Sequence, residues 1–328
     1  MNTPYIAVEK ASIAKIINKY KELGEIFYPV KANAYKPLLH FIYEQGCCFN
    51  VNSLLYLNSL LELGIPKEKI LWDNCLSTIS ELDYVISHDI QSFCVDSIEL
   101  YNYISNKSKK AKFFIKISKR TNETPYKFGS EHFKTLYKCI KKRKVLLGVS
   151  FYLGYEYFNE NNFVALVNMA ISEGPIEYLN IGGGFDNFFN YPKLVEFIKY
   201  IKRRRLINKI IFEPGRSILN YSSKIYSTVI NVRRINNQNW IRIDASIYSG
   251  MIDRYIENKE YRILDSSSQT TNYYVAGFTS DCADYFGEHG LSSTLKCGDI
   301  ITISDCGAYC FDMSCSYSGA KKLNVRMI

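Results

Sequence analysis

Between Glu25 and about Arg216 the chain alternates short β-rich runs with longer amphipathic ones, and this alternation confines it to a parallel α/β architecture. The runs centre on Phe27–Val30, Cys48–Val51, Ile70–Asp73, Phe93–Asp96, Phe113–Ile117, Leu147–Tyr152, Tyr178–Ile181 and Lys209–Phe212. Between them lie helical patterns. The clearest runs from Ser53 to Leu63, with Ser53 placed to cap, Leu54, Leu57, Leu60 and Leu61 on one face, and Gly64 to stop it. Eight strand-helix units in succession predict a (β/α)8 TIM-like barrel. After about Tyr221 the pattern changes to β-rich runs without helices between them, at Lys224–Val232, Trp240–Ile243, Thr271–Gly277 and Asp299–Ile303. The expected division is a barrel over 9–222 and a C-terminal all-β domain over 223–328, joined by an N-terminal strand within 1–8.

At 328 residues and 47% hydrophobic, the chain has the apolar material for such a core, which excludes a disordered protein. Charges interrupt the first twenty residues, and no stretch approaches the roughly 18 apolar residues of a membrane span. A soluble, cytoplasmic protein with no membrane partner is expected. In that setting the ten cysteines read as reduced thiols. Cys306, Cys310 and Cys315 lack paired zinc-ligand spacing and the four histidines form no HExxH-like set, so no metal site is expected. The net charge of +9 raises nucleic-acid binding. The basic runs Lys141–Lys144 and Arg203–Arg205, however, fall at the ends of predicted helices, where cations complement the helix dipole, and no nucleic-acid partner is expected.

In a barrel the residues after each strand face the active site. Strand one is followed by Lys31-Ala32-Asn33, strand six ends in Tyr152-Leu153-Gly154, strand seven is followed by Gly182-Gly183-Gly184, and strand eight by Glu213-Pro214-Gly215-Arg216. A lysine at a barrel mouth can attack an aldehyde, or can be an ordinary surface residue. Three glycines let backbone N–H groups approach a phosphate, or simply form a tight turn. Glu213 and Arg216 combine a carboxylate suited to a protonated ring nitrogen with a guanidinium suited to a phosphate; a structural ion pair is the alternative.

In order, Thr3-Pro4-Tyr5, Tyr28-Pro29-Val30-Lys31-Ala32-Asn33, Asp96-Ser97, Lys127-Phe128-Gly129, the glycine triplet, Glu213–Arg216, Gly277–Asp284, Gly298-Asp299 and Gly307-Ala308-Tyr309 span nearly the whole chain. This set resembles the fold-type III pyridoxal-phosphate enzymes of the ornithine and diaminopimelate decarboxylase family. The resemblance implies that Lys31 holds pyridoxal 5'-phosphate as a Schiff base. Gly182, Gly183, Gly184, Arg216 and Tyr309 would hold the phosphate, Gly215 would also bind the cofactor, and Glu213 would pair with the ring nitrogen. It also implies a homodimer with shared active sites, each completed by the second subunit's Gly277–Asp284 segment. Asp281 would meet a distal amine of the substrate, with Tyr248 and Arg254 as further substrate-binding candidates.

Departures accompany the match. Asn50 and Asn180 stand where the family has aspartates, removing negative charge near a cationic site. Tyr152 replaces the ring-stacking histidine and can stack without becoming a cation. In Thr279-Ser280-Asp281-Cys282, serine and cysteine have exchanged places relative to the family, so Ser280 occupies the proton donor's position and Cys282 is the alternative donor. The expected activity is decarboxylation of an amino acid, or of the amino-carboxy group of a biosynthetic intermediate. A racemase is the second reading, against which Glu213 stands where such enzymes use arginine, and a non-catalytic regulatory homologue is the third.

Overall fold

The computed structural model describes residues 2–118, 129–130, 132–152, 160–184, 191–265 and 269–328. Lys127 and Phe128 of one motif, and Leu153 and Gly154 after strand six, lie outside them. The chain divides into two compact units, one of Ile16–Val30 and Leu39–Ser217, the other of Met1–Lys15, Lys31–Leu38 and Ile218–Ile328.

In chain order the strands are β1 (Tyr5–Val8), β2 (Glu25–Pro29), β3 (Cys48–Val51), β4 (Ile70–Trp72), β5 (Ser92–Val95), β6 (Lys112–Ile117), β7 (Leu146–Phe151), β8 (Ile176–Asn180) and β9 (Ile207–Phe212). They continue with β10 (Ser223–Ile235), β11 (Gln238–Ile243), β12 (Ile263–Leu264), β13 (Thr270–Ala276), β14 (Tyr285–Ser292), β15 (Ile300–Ile303) and β16 (Asn324–Met327).

Strands β2 to β9 form a closed parallel barrel in sequence order. Closure runs through Glu25 opposite Ile211 and Ile26 opposite Phe212. The strands read as apolar runs because a parallel sheet is covered on both faces. Phe27, Leu71, Cys94, Phe114 and Ile211 pack together, joined by half-buried Cys48, Cys75, Leu147 and Tyr178. The helix Leu54–Glu62 forms as its pattern predicts: the Ser53 hydroxyl accepts from the Tyr56 N–H, and Leu57 and Leu60 are buried. In the Asp96-Ser97 motif, Ser97 caps the helix Ile98–Lys107 through the Leu100 N–H. Lys141 and Lys142 occupy the last turn of Phe133–Lys142, and Lys202 and Arg203 that of Tyr191–Arg203, as the dipole argument requires.

The second unit is built on an eight-stranded sheet whose main path runs β12-β15-β10-β11-β13-β14. β1 joins it antiparallel to β10, with Tyr5 opposite Tyr226, and carries β16 in parallel on its other side, with Tyr5 opposite Asn324. Asp244, buried just after β11, accepts from the Thr3 hydroxyl at 2.6 Å, the Ser227 hydroxyl at 2.9 Å and the Thr228 N–H at 2.8 Å. Its burial is thereby compensated.

Candidate active site

In the barrel unit, Glu213 immediately follows β9, and its N–H donates to the Gly182 carbonyl at 2.8 Å. Gly182 has φ of +69°, and its N–H donates to the Asn180 side-chain oxygen at 3.0 Å. A Cβ at Gly183 would stand 2.4 Å from the Glu213 carbonyl oxygen, and one at Gly182 would stand 3.2 Å from the Tyr152 ring. The sequence Gly182-Gly183 is therefore required by close backbone approach at the end of β9. Tyr152, 41% exposed, sits against this turn just after β7. Gly184 continues the turn at φ +88°, Gly215 is buried, and Arg216 opens the short helix Arg216–Leu219.

The Glu213 carboxylate is held by two carboxamides. Its Oε1 accepts from Asn50 Nδ2 at 2.7 Å and from Asn180 Nδ2 at 2.6 Å. Asn50 lies in β3 and Asn180 at the end of β8, and both are buried. Asn50 and Asn180, read from sequence as losses of acid, thus each present a hydrogen-bond donor to Glu213.

The same network contains two residues that reading the strand ends passed over. Asp73, directly after β4, accepts from Asn50 Nδ2 at 2.9 Å and from Lys116 Nζ at 2.5 Å. The Asp73 side chain is 7% exposed and that of Lys116, in β6, 24%. Burial pulls Asp73 upward, but the adjacent Lys116 ammonium, with hydrogen bonds from Lys116, Asn50 and Cys94, holds it below its ordinary value. Burial, the largest single influence, opposes the charge on Lys116 as well; Asp73 together with Cys94, Glu213 and Cys75 outweighs it and raises the lysine above its usual range. Glu213 is pushed up, mainly by burial and then by the charge on Asp73, against the lowering influence of Lys116. The loss of acid read at Asn50 and Asn180 is thus offset by Asp73. The sequence does carry a sign of the pair, since Lys116 breaks the otherwise apolar run Phe113-Phe114-Ile115-Lys116-Ile117 in a strand that needs apolar residues on both faces.

In the second unit, Lys31 is exposed at the centre of a 3-10 turn, Val30–Ala32. The segment after it is held by a loop near residue 310. The Tyr309 N–H donates to the Ala32 carbonyl at 2.6 Å, and Asp312 accepts from the Ala34 N–H at 2.9 Å. Tyr309 adopts φ of +66°, a conformation that non-glycine residues rarely take. Lys31 and Tyr309, predicted separately, are brought to one turn.

Asp281 and Tyr248 also come together. Asp284, only 2% exposed, accepts from the Ser246 hydroxyl at 2.9 Å, the Ile247 N–H at 2.8 Å, and both the N–H and the hydroxyl of Thr279 at 2.8 Å. These bonds tie the β13–β14 loop to the 3-10 turn Ile247–Ser249. The Ala283 N–H, followed by the Tyr248 and Tyr317 hydroxyls, holds Asp281 below the ordinary carboxylate range. The Tyr248 and Tyr317 rings lie 4.6 Å apart between centroids. Ser280 and Cys282 flank Asp281, both exposed. The Arg254 guanidinium lies 3.5 Å from where a Cβ on Gly287 of β14 would stand, and the hydroxyl of the adjacent Tyr255 donates to the Ala283 carbonyl.

The sequence and the fold both resemble those of known decarboxylases. The chain is 23% identical over 330 residues to a diaminopimelate decarboxylase of Zymomonas mobilis, covering 89% of this chain and 78% of that protein. It is 24% identical over 331 residues to a probable ornithine decarboxylase of Dictyostelium discoideum, covering 89% and 72%. The fold matches a lysine/ornithine decarboxylase from Vibrio vulnificus, complexed with putrescine, at a TM-score of 0.87, 16% identity and coverage of 99% and 94%. It matches the arginine decarboxylase of Paramecium bursaria Chlorella virus at 0.86, with 19% identity and coverage of 100% and 97%. Residues 10–220, which include Lys31, the glycine triplet, Glu213 and Arg216, match the pyridoxal binding domain of the pyridoxal-dependent decarboxylases, and the chain belongs to that family.

Proposed function

We propose that this enzyme removes the carboxylate from an amino acid, or an amino-carboxy intermediate, whose far end carries a cationic group. Glu213, held by two amides beside a glycine turn, carries the reading. The residues fit the family's cofactor: a desolvated carboxylate suits a protonated ring nitrogen, a glycine turn with Arg216 suits a phosphate, and the Lys31 amine suits an aldehyde. When bound, pyridoxal phosphate supplies the electron sink that lets a carboxylate depart as carbon dioxide. Lys31 would hold the cofactor, Gly182 to Gly184, Gly215, Arg216 and Tyr309 the phosphate, and Glu213 the ring nitrogen, with Tyr152 against the ring face. Asp281, ionised and bounded by Tyr248 and Tyr317, would bind the substrate's distal cation. Ser280 or Cys282, both exposed, would place the proton that replaces the carboxylate.

We take the boundary between barrel and β domain to lie near residue 222, and the working form to be a cytoplasmic homodimer in which Gly277–Asp284 of one subunit serves the other. An absorbance spectrum before and after borohydride, with Lys31→Ala beside it, tests the cofactor linkage. Carbon dioxide release from a panel of cationic and neutral amino acids tests the substrate class, and release only from neutral ones would refute it. Mixing inactive Lys31→Ala with inactive Asp281→Ala should restore about a quarter of native activity if sites are shared across a two-fold dimer, and none if each chain is self-sufficient.

A further inference from the structure

The cluster of Asp73, Lys116, Asn50, Asn180 and Glu213 holds two carboxylates and one cation. Lys116 can neutralise only one of the acids, and its ammonium donates to Asp73. Asn50 spends both hydrogens of its Nδ2 on acids, one on Asp73 and one on Glu213. Turning this amide over would point its carbonyl oxygen at two carboxylates, so the two acids together fix its orientation. Without Asp73, the half-buried Lys116 would be left with Glu213 as the remaining carboxylate of the cluster, and a cation drawn out of water without a partner is disfavoured.

We propose that Asp73 is a positioning residue that engages Lys116 as a neutral pair, and thereby reserves Glu213 for the ring nitrogen of the cofactor. The proposal rests on the assignment of Glu213 to that nitrogen. Asp73 touches neither cofactor nor substrate in this scheme; it acts through Lys116 and Asn50. Its charge in the network stands in for the acid that Asn50 and Asn180 no longer supply. The low exposure of Asp73 keeps the pair from being screened away by water.

The test is the dissociation constant of pyridoxal phosphate from the full-length holoenzyme, followed by absorbance and by protein fluorescence. Asp73→Asn should weaken binding by about tenfold or more, because Lys116 turns to Glu213 and competes with the ring nitrogen. Lys116→Met should bind as tightly as the native chain or more tightly. The double variant Asp73→Asn/Lys116→Met should recover to within about threefold of native, since the competing cation is gone. A role confined to packing would not predict that recovery. Should Asp73→Asn fail to fold, a folded, cofactor-binding double variant supports the proposal, and a Lys116→Met enzyme with weakened binding overturns it. Native affinity in Asp73→Asn, or a double variant no better than Asp73→Asn, overturns the role of Asp73 while leaving Glu213 intact. Glu213→Gln separates the two levels: if that change leaves affinity untouched, the assignment of Glu213 fails and this inference with it.

Discussion

Replacing Asn180 by aspartate, its isostere, puts a carboxylate oxygen where Nδ2 now stands, 2.6 Å from Glu213 Oε1. The other oxygen still accepts the Gly182 N–H, now bonded at 3.0 Å, so the turn keeps its anchor. Two charged oxygens at that separation repel by about 6 kcal/mol at an effective dielectric constant of about 20. Keeping one proton between them instead costs about 1.4 kcal/mol for each pH unit above the acid's ordinary value, the smaller penalty up to about pH 8. The folded variant therefore binds a proton that the unfolded chain has released, and its stability falls as pH rises. Because Glu213 is already pushed up in the native chain, the loss relative to it between pH 6 and pH 8 is at most about 2.7 kcal/mol, or about 5 to 10 °C in melting temperature for a domain of this size. Thermal unfolding of both proteins without cofactor at these two pH values measures it, near parity being approached at the acid end. Equal stability of variant and native at both pH values would show that Asn180 and Glu213 are not in contact, and would remove the basis for the whole amide-held acid.

Other perturbations have equally definite outcomes. Gly183→Ala places a methyl group 2.4 Å from the Glu213 carbonyl oxygen, which must yield by nearly 1 Å; a loss of about 1 to 3 kcal/mol in urea unfolding, with weaker cofactor binding, is expected. Asp284→Ala strands the donors of Ser246, Ile247 and Thr279, costs about 3 kcal/mol, and should speed hydrogen exchange at the Ile247 and Thr279 amides before any global change. Alkylation of the native protein at neutral pH should mark Cys139, Cys282, Cys297 and Cys315, which are exposed, and spare Cys47 and Cys310, whose thiols burial pushes up to about 12 and about 11; prompt labelling of Cys47 would contradict the packing of the barrel.

The barrel could be read from sequence because covering a parallel sheet on both faces demands apolar strands, and the residues after those strands, Lys31, Gly182 and Glu213, announce themselves by departing from the pattern. Asp73 falls within an apolar strand run with nothing in the sequence to mark its role, and Lys116 reads as one more strand residue. Both bear on the site from the strands themselves, and only three-dimensional pairing shows that they neutralise each other. Asn50 and Asn180 look like losses one at a time; as donors to a common carboxylate they form a single device. In the second unit β14 escaped notice because Gly287 and Gly290 break up Tyr285–Ser292 and weaken its strand character. β10 runs on to Ile235, beyond Val232, where paired antiparallel geometry with β11 overrides a polar sequence. That Asp281 would be joined by Tyr317 was invisible, since the two lie 36 residues apart and meet only through the loops that Asp284 ties down.

The placement of β1 bears on how the protein is made. Tyr5 emerges from the ribosome early, yet its parallel neighbour in β16 is Asn324 and its antiparallel neighbour in β10 is Tyr226. At ordinary rates of synthesis Tyr226 follows on the order of ten seconds or more later, and Asn324 later still. Barrel strands β2 to β8 each gain a neighbour from the next segment synthesised, so the barrel can take shape while translation continues. Tyr5–Val8, an apolar tetrapeptide with its backbone groups unmatched, must wait. Until then it is an open edge available to any other strand, and the interval before β10 and β16 arrive is when a nascent chain of this enzyme has most need of a chaperone.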